Sequence, residues 1–186
     1  MPTSEERLSA VTVGKVEALN RPIVLEPYNP EWPSRFAILE RQIRQALDDG
    51  ALLVEHVGST SVPGLFAKPI IDVVLAVANS ADEPAYVPLL ERLGYVLRIR
   101  EPDWFEHRML KSHGIEGNIH VFSQGCTEIG RMVAFRDWLR SNDTDRELYQ
   151  RTKQELARRV WKHTQDYADA KSDVVRAILG RALGAR

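Results

Sequence analysis

The stretch EHVGSTSVPGLFAKPIIDVVLAV, residues 55–77, places a small-residue turn, a lysine and an acid in an order that suits phosphate chemistry. A Gly-Ser turn leaving a strand exposes backbone N–H groups and hydroxyls, so Gly58, Ser59, Thr60 and Ser61 can hold phosphate oxygens. Gly58 permits the close approach that a side chain would block. Lys68 can set a positive charge beside the same phosphates, and Asp72 can bind a magnesium ion bridging them. An ionised carboxylate inside an apolar strand needs a partner or a metal. The alternatives are a structural ion pair for Asp72, with Lys68 or an arginine, and a turn at 58–61 that is only a turn.

Further polar residues extend this set. His120 in NIHVF is read either as a ligand to metal or substrate, or as a satisfied core histidine. His56, two residues before the turn, is read as a hydrogen-bonded, partly buried side chain. In WFEHRMLK, Glu106 and Arg108 share a face opposite His107; Glu106 can supply a further acid or join a cross-strand ion pair. Arg136 and Arg140 stand four apart on one helix face with Asp137 close by, and Tyr149 with Lys153 repeats that spacing on the next helix, Tyr167 with Lys171 on the last. These pairs are either solvated surface pairs or ligands for a phosphate or carboxylate on the open side of a sheet.

The elements that must position these residues follow from periodicity. IIDVVLAV is β-branched and of strand length; period two sets Ile70, Asp72, Val74 and Ala76 on one face and Ile71, Val73, Leu75 and Val77 on the other. LLVEHV alternates in the same way ahead of the turn, and YVLRIR, WFEHRMLK and NIHVFS read as three more strands, with a hairpin loop at SHGIEG. Phe36, Leu39, Ile43 and Ala46/Leu47 recur every three or four residues, predicting a helix over 31–48 that stops at Gly50. A helix is expected at 83–93, and three more at 127–140, 144–166 and 170–183. Residues 1–21 lack a clear period and are expected to form a loose arm ahead of one domain over 22–186. The order is α+β, a mixed sheet with a helical C-terminal half.

Composition bounds the function. Twenty-five basic against 26 acidic side chains leave a net charge of −1, which argues against non-specific attraction to nucleic acid or anionic membrane. The lone Cys126 excludes an internal disulfide and suits a reducing cytosol. The N-terminal twenty residues have no continuous apolar core, and the longest apolar run, 70–78, is too short to span a bilayer, so a cytoplasmic protein is expected.

VEHVGSTSVPGLFAKPIIDVV resembles the signature of the GrpB family, also called UPF0157. YNPEWPSRF, NIHVF, FRDWLRSN, ELYQRTKQELA and YADAKSDVVRAIL continue the resemblance in order over about residues 22–183. GrpB proteins are similar to the nucleotidyltransferase superfamily, which implies a nucleotidyltransferase-like mixed sheet with the helical half packed against it. Gly58 and Ser59 match the superfamily turn and Asp72 its first acid, but Val74 stands where a second acid would be, and NIHVF offers His120 in place of a third. The resemblance implies a magnesium site at Asp72 and His120, phosphates held by the 58–61 turn, Lys68, Arg136, Arg140, Tyr149 and Lys153, and nucleotidyl transfer to a small acceptor. Fusion of GrpB domains behind dephospho-CoA kinase in some proteins implies the other class, a ligand-binding or folding-helper domain without catalysis.

Overall fold

The structure is a computed structural model that describes residues 4–184. Its centre is a five-stranded sheet in the order β1-β2-β5-β4-β3. The strands are β1 (Leu53–Val57), β2 (Ile71–Val77), β3 (Val96–Glu101), β4 (His107–Ser112) and β5 (Gly117–Ser123). Only β2 and β5 run parallel; β1 on β2, β4 on β5 and β3 on β4 are antiparallel. The helices are α1 (Ser4–Val11), α2 (Trp32–Leu47), α3 (Val87–Glu91), α4 (Thr127–Ser141), α5 (Asp143–Ala157), α6 (Thr164–Asp169) and α7 (Ser172–Gly184).

The pleat of β2 divides the domain. Ile71, Val73, Leu75 and Val77 point to one side and pack with Leu39, Ile43 and Leu47 of α2 in the largest apolar cluster. The i, i+4, i+8 spacing of those helix residues makes one continuous stripe, which is why α2 lies flat on the sheet. Val74 and Ala76 point the other way, into a second cluster with Val57, Phe122 and Ile129 under α4. Asp72 shares that second face, so the alternation read from the sequence holds and places the carboxylate opposite the main core. The α+β class and the mixed sheet with a helical C-terminal half are as expected.

The helix expected at 83–93 is a 3₁₀ turn, Glu83–Ala85, followed by the short α3, and three further segments differ from the sequence reading. The segment at 1–21, expected to be a loose arm, carries helix α1, and its described part is tied to the rest of the chain at both ends. Thr12 bridges Ile99, the Val13 amide donates to the Arg98 carbonyl at 2.8 Å, the Leu19 amide to Lys162 at 2.7 Å, and Arg21 bridges Trp161. The helix expected at 144–166 is broken after Ala157, because Trp161 turns back to pair with Arg21 and donates its indole N–H to the Leu156 carbonyl at 2.9 Å. In WFEHRMLK only the part from His107 onward is strand; Phe105 and Glu106 take positive φ in the turn before it. Among the described residues no helix is long and apolar enough to cross a membrane.

Candidate functional site

The β1–β2 connection positions the site. Gly58 (φ 69°, ψ −174°) opens a single 3₁₀ turn, Ser59–Ser61. That backbone region is open essentially only to glycine. It also clears a path for Asp72: a Cβ at Gly58 would lie 2.3 Å from Asp72 Oδ2 and 2.9 Å from its Cβ. The turn is pinned from within, since Ser61 Oγ donates to the Gly58 carbonyl at 2.5 Å and Thr60 Oγ1 donates to the Ile70 carbonyl at 3.2 Å. With its proton spent on that carbonyl, Thr60 Oγ1 accepts from His56 Nε2 at 3.0 Å. His56 is buried, stacked on Phe36 at 4.8 Å, and burial lowers its pKa to about 4, so it is neutral. This is the structural histidine the sequence reading favoured.

A cavity of about 460 Å³ opens in front of Asp72. Gly58, Ser59, Thr60, Lys68, His120 and Lys153 line it, with Asn118, Lys171, His163 and Tyr167. Asp72 pairs in register with Asn118 across β2 and β5, and the Asn118 amide donates to Asp72 Oδ1 at 3.0 Å. His120 Nε2 lies 3.8 Å from the same oxygen. Burial works against the charge on Asp72, but His120, Asn118 and then Lys171 outweigh it and hold the carboxyl below its ordinary range.

Most of the cavity's cations are lysines. Lys153, 2% exposed, donates to Ser59 Oγ at 2.8 Å and to the Phe66 carbonyl, and sits over the Tyr149 ring at 5.2 Å. Burial, with Lys171 adding to it, lowers Lys153 to about 7. Lys171, 4.3 Å over the Tyr167 ring, is lowered by burial to about 8, and Lys68 is lowered by burial as well. These three lysines share one cavity with Lys15, Lys111 and Arg98, and its lining acids are Asp72 and Glu17.

Four of the residues expected to bind phosphate do not line the cavity. Arg136 is buried against β1, donating to Glu55 at 2.6 Å, Asp137 at 2.8 Å and the His56 carbonyl at 2.9 Å. Arg140 donates to the Ser61 carbonyl at 3.0 Å and so braces the back of the turn. Tyr149 is buried behind Ser59 and packs edge-on against Phe135, and Ser61 faces inward. Tyr167 and Lys171 are not on one helix: Tyr167 is on α6 and Lys171 in the turn before α7. Glu106 lies 3.4 Å from Arg108 Nη1, paired there and not beside Asp72.

The residues present do not make the set a magnesium ion asks for. Magnesium wants several oxygen ligands and imidazole suits softer metals, whereas Asp72 is the one carboxylate among the strand residues lining the cavity, already takes the Asn118 amide, and shares the cavity with lysines. Val74, fully buried in the apolar cluster under α4, confirms that no second acid stands on that face of β2. Lys171 and Tyr167, weighed in the sequence as a possible ligand pair, do line the cavity, whereas Asn118 and the pair His107 and Glu101 behind His120 were missed, and strand register alone brings these three into place.

A small α+β domain with a glycine-opened turn, a strand acid and a lysine-walled cavity is thereby defined. The chain belongs to the GrpB family, whose model, GrpB protein, matches residues 22–181. A UPF0157 protein of Halalkalibacterium halodurans is 55% identical over 97% of this chain and 93% of its own length. One from Streptomyces coelicolor is 43% identical over 94% and 90%. The crystal structure of the conserved protein GrpB from Enterococcus faecalis is 30% identical with a TM-score of 0.72, over 87% of this chain and 98% of that one. A dephospho-CoA kinase of Mycolicibacterium paratuberculosis is 26% identical over 87% of this chain, which spans 46% of that protein.

Proposed function

We propose that this GrpB protein binds a phosphate-bearing small molecule in the cavity beside the 58–61 turn, without nucleotidyl transfer and without magnesium. The convergence of Lys68, Lys153 and Lys171 on one cavity carries the reading. Lysines buried enough to lose basicity are costly to hold in an empty site, and an anion between them returns that cost. Ser59, held by Lys153, sets a hydroxyl at the same place. That the strands contribute one carboxylate to the cavity, Asp72, argues against two-metal chemistry, which uses acids to hold both ions. Similarity to part of a protein named dephospho-CoA kinase is in keeping with a phosphate-bearing ligand.

The test is thermal unfolding with inorganic phosphate, sulfate and a nucleoside triphosphate, each in EDTA and in magnesium. Ligand at a hundred times its Kd stabilises the native state by about 2.7 kcal/mol. The expected result is a shift that EDTA does not remove and that the Lys153→Ala, Lys171→Ala double variant loses. Magnesium-dependent pyrophosphate release from the triphosphate, abolished in Asp72→Asn, would instead establish the nucleotidyltransferase.

A further inference from the structure

The cavity holds more positive charge than one phosphate answers. Five lysines line it, Lys15, Lys68, Lys111, Lys153 and Lys171, and among the described residues none of them is in an ion pair with a carboxylate. The acids of the cavity have other close neighbours: Asp72 Oδ1 takes the Asn118 amide at 3.0 Å, and Glu17 has Arg98 at 3.7 Å. A phosphate monoester brings a charge of about −1.5 to −2 at neutral pH, so it leaves several of these lysines without a counter-charge. A cavity of about 460 Å³ is also of a size that takes a whole small-molecule ligand, and a phosphate at Ser59 and Lys153 occupies only part of it.

A second set of polar atoms faces the same space. His163 caps α6 and Tyr167 stands four residues further on, which sets both side chains on one face of that helix. They are 4% and 3% exposed, and both line the cavity. Among the described residues, three buried side-chain nitrogen or oxygen atoms have no hydrogen-bond partner, and two of the three are His163 Nε2 and Tyr167 Oη. An unpaired polar atom in a protein interior is costly, so a pair of them on one cavity wall marks where a ligand's polar group fits. Cations surround that place: the Lys171 ammonium lies 4.3 Å over the Tyr167 ring, and His163 Nδ1 lies 3.3 Å from the carbonyl of Glu17, two residues after Lys15. Burial raises the Tyr167 phenol, with Tyr149 adding to the rise, so the hydroxyl keeps the proton it would donate.

We propose that the cavity takes a ligand with two anionic groups: a phosphate at Ser59 and Lys153, and a second phosphate or a carboxylate that accepts from Tyr167 Oη beside His163 Nε2 and Lys171. Two such groups answer the excess of lysines, and the Tyr167 hydroxyl gives the second of them a fixed donor. The first group rests on the phosphate-binding reading above; the contact at Tyr167 is tested apart from it.

Matched probes that differ in the second anionic group test this: glycerol 3-phosphate against 3-phosphoglycerate, and fructose 6-phosphate against fructose 1,6-bisphosphate. Calorimetry at fixed ionic strength should show the second group tightening binding about tenfold or more in at least one pair, as a hydrogen bond to a charged group implies. Which pair responds tells carboxylate from phosphate. In Tyr167→Phe the ratio within that pair should fall severalfold. A ratio near one in both pairs, or one that Tyr167→Phe leaves unchanged, overturns the second contact, while binding of the monophosphates upholds the phosphate reading. Absence of binding by all four probes overturns both. Thermal unfolding without ligand is an independent check. The Tyr167 hydroxyl has no partner in the fold, so Tyr167→Phe should melt no lower than the parent. A Tm lower by several degrees would show the hydroxyl bonded within the protein and refute the contact.

Discussion

Replacing Gly58 with alanine tests the geometry on which the site depends. Two costs are separable. The backbone at φ 69°, ψ −174° is a glycine region, and a side chain held there costs about 1–3 kcal/mol. The new methyl would also meet Asp72 Oδ2 at 2.3 Å and Asp72 Cβ at 2.9 Å, and because Asp72 is fixed within a paired strand, the overlap adds about 1–3 kcal/mol. The sum is about 2–6 kcal/mol, which for a chain of 186 residues lowers Tm by roughly 5–20 °C. Urea unfolding at neutral pH, with the m-value checked for constancy, measures it. The second cost identifies itself in a double-mutant cycle. Asp72→Ala removes the carboxylate contact but not the contact to Cβ, so Gly58→Ala should cost at least about 1 kcal/mol less in that background than in the parent. Additivity to within about 0.5 kcal/mol, or a single variant as stable as the parent, would show that Asp72 does not sit against the turn.

Anion binding should weaken as the lysines lose their protons. Sulfate keeps its charge across the range, so its affinity should fall between pH 7 and 9 as Lys153 (about 7) and Lys171 (about 8) titrate, and calorimetry in buffers of different ionisation enthalpy should show proton uptake on binding. The same depression has the opposite sign for the ligand-free fold. The unfolded chain binds more protons than the native one between those values and 10.5, so stability should rise with pH across that window. Asp72→Asn removes the carboxylate from among the lysines, so sulfate should bind severalfold more tightly, where a metal-dependent site would lose its ligand altogether. Outside the cavity lining, Glu83 accepts from the buried Arg108 at 2.5 Å and from Arg100 at 2.6 Å; hydrogen bonds from Arg100 outweigh burial and, with those from Arg108, hold it at about 2. Its folded value is depressed, so its contribution, about 1–2 kcal/mol once solvent screening is allowed for, is complete above about 4.5 and lost as pH falls toward 2, and acid unfolding of Glu83→Gln should lack that step.

What the sequence disclosed and what it withheld divide along a physical line. Period two in IIDVVLAV was sufficient to put Asp72 and Val74 on one face, because a strand buried on both sides must still alternate, and the clusters on either side of β2 obey it. Glycine at 58 was legible for the same kind of reason, since it precedes a turn that a carboxylate two elements later must approach. Spacing on helices proved less informative. Arg136 and Arg140 do share a face, as four residues of α-helix require, but nothing in the spacing says toward which side of the turn that face is rotated. It is rotated toward β1, where Glu55 and backbone carbonyls consume the guanidinium groups, and the cavity takes its charge from Lys153 and Lys171 instead. The break after Ala157 was hidden because RRVWKH contains no glycine or proline; it is imposed by Arg21, 140 residues earlier in the chain, pairing with Trp161. Register was equally invisible, and register is what aligns Asn118 with Asp72 and Glu101 with His107. The acid that appeared isolated in its strand is therefore not isolated: it meets an amide and an imidazole from β5, and that imidazole is held in turn by residues of β4 and β3. A carboxylate supported in this way across four strands is fixed as an acceptor.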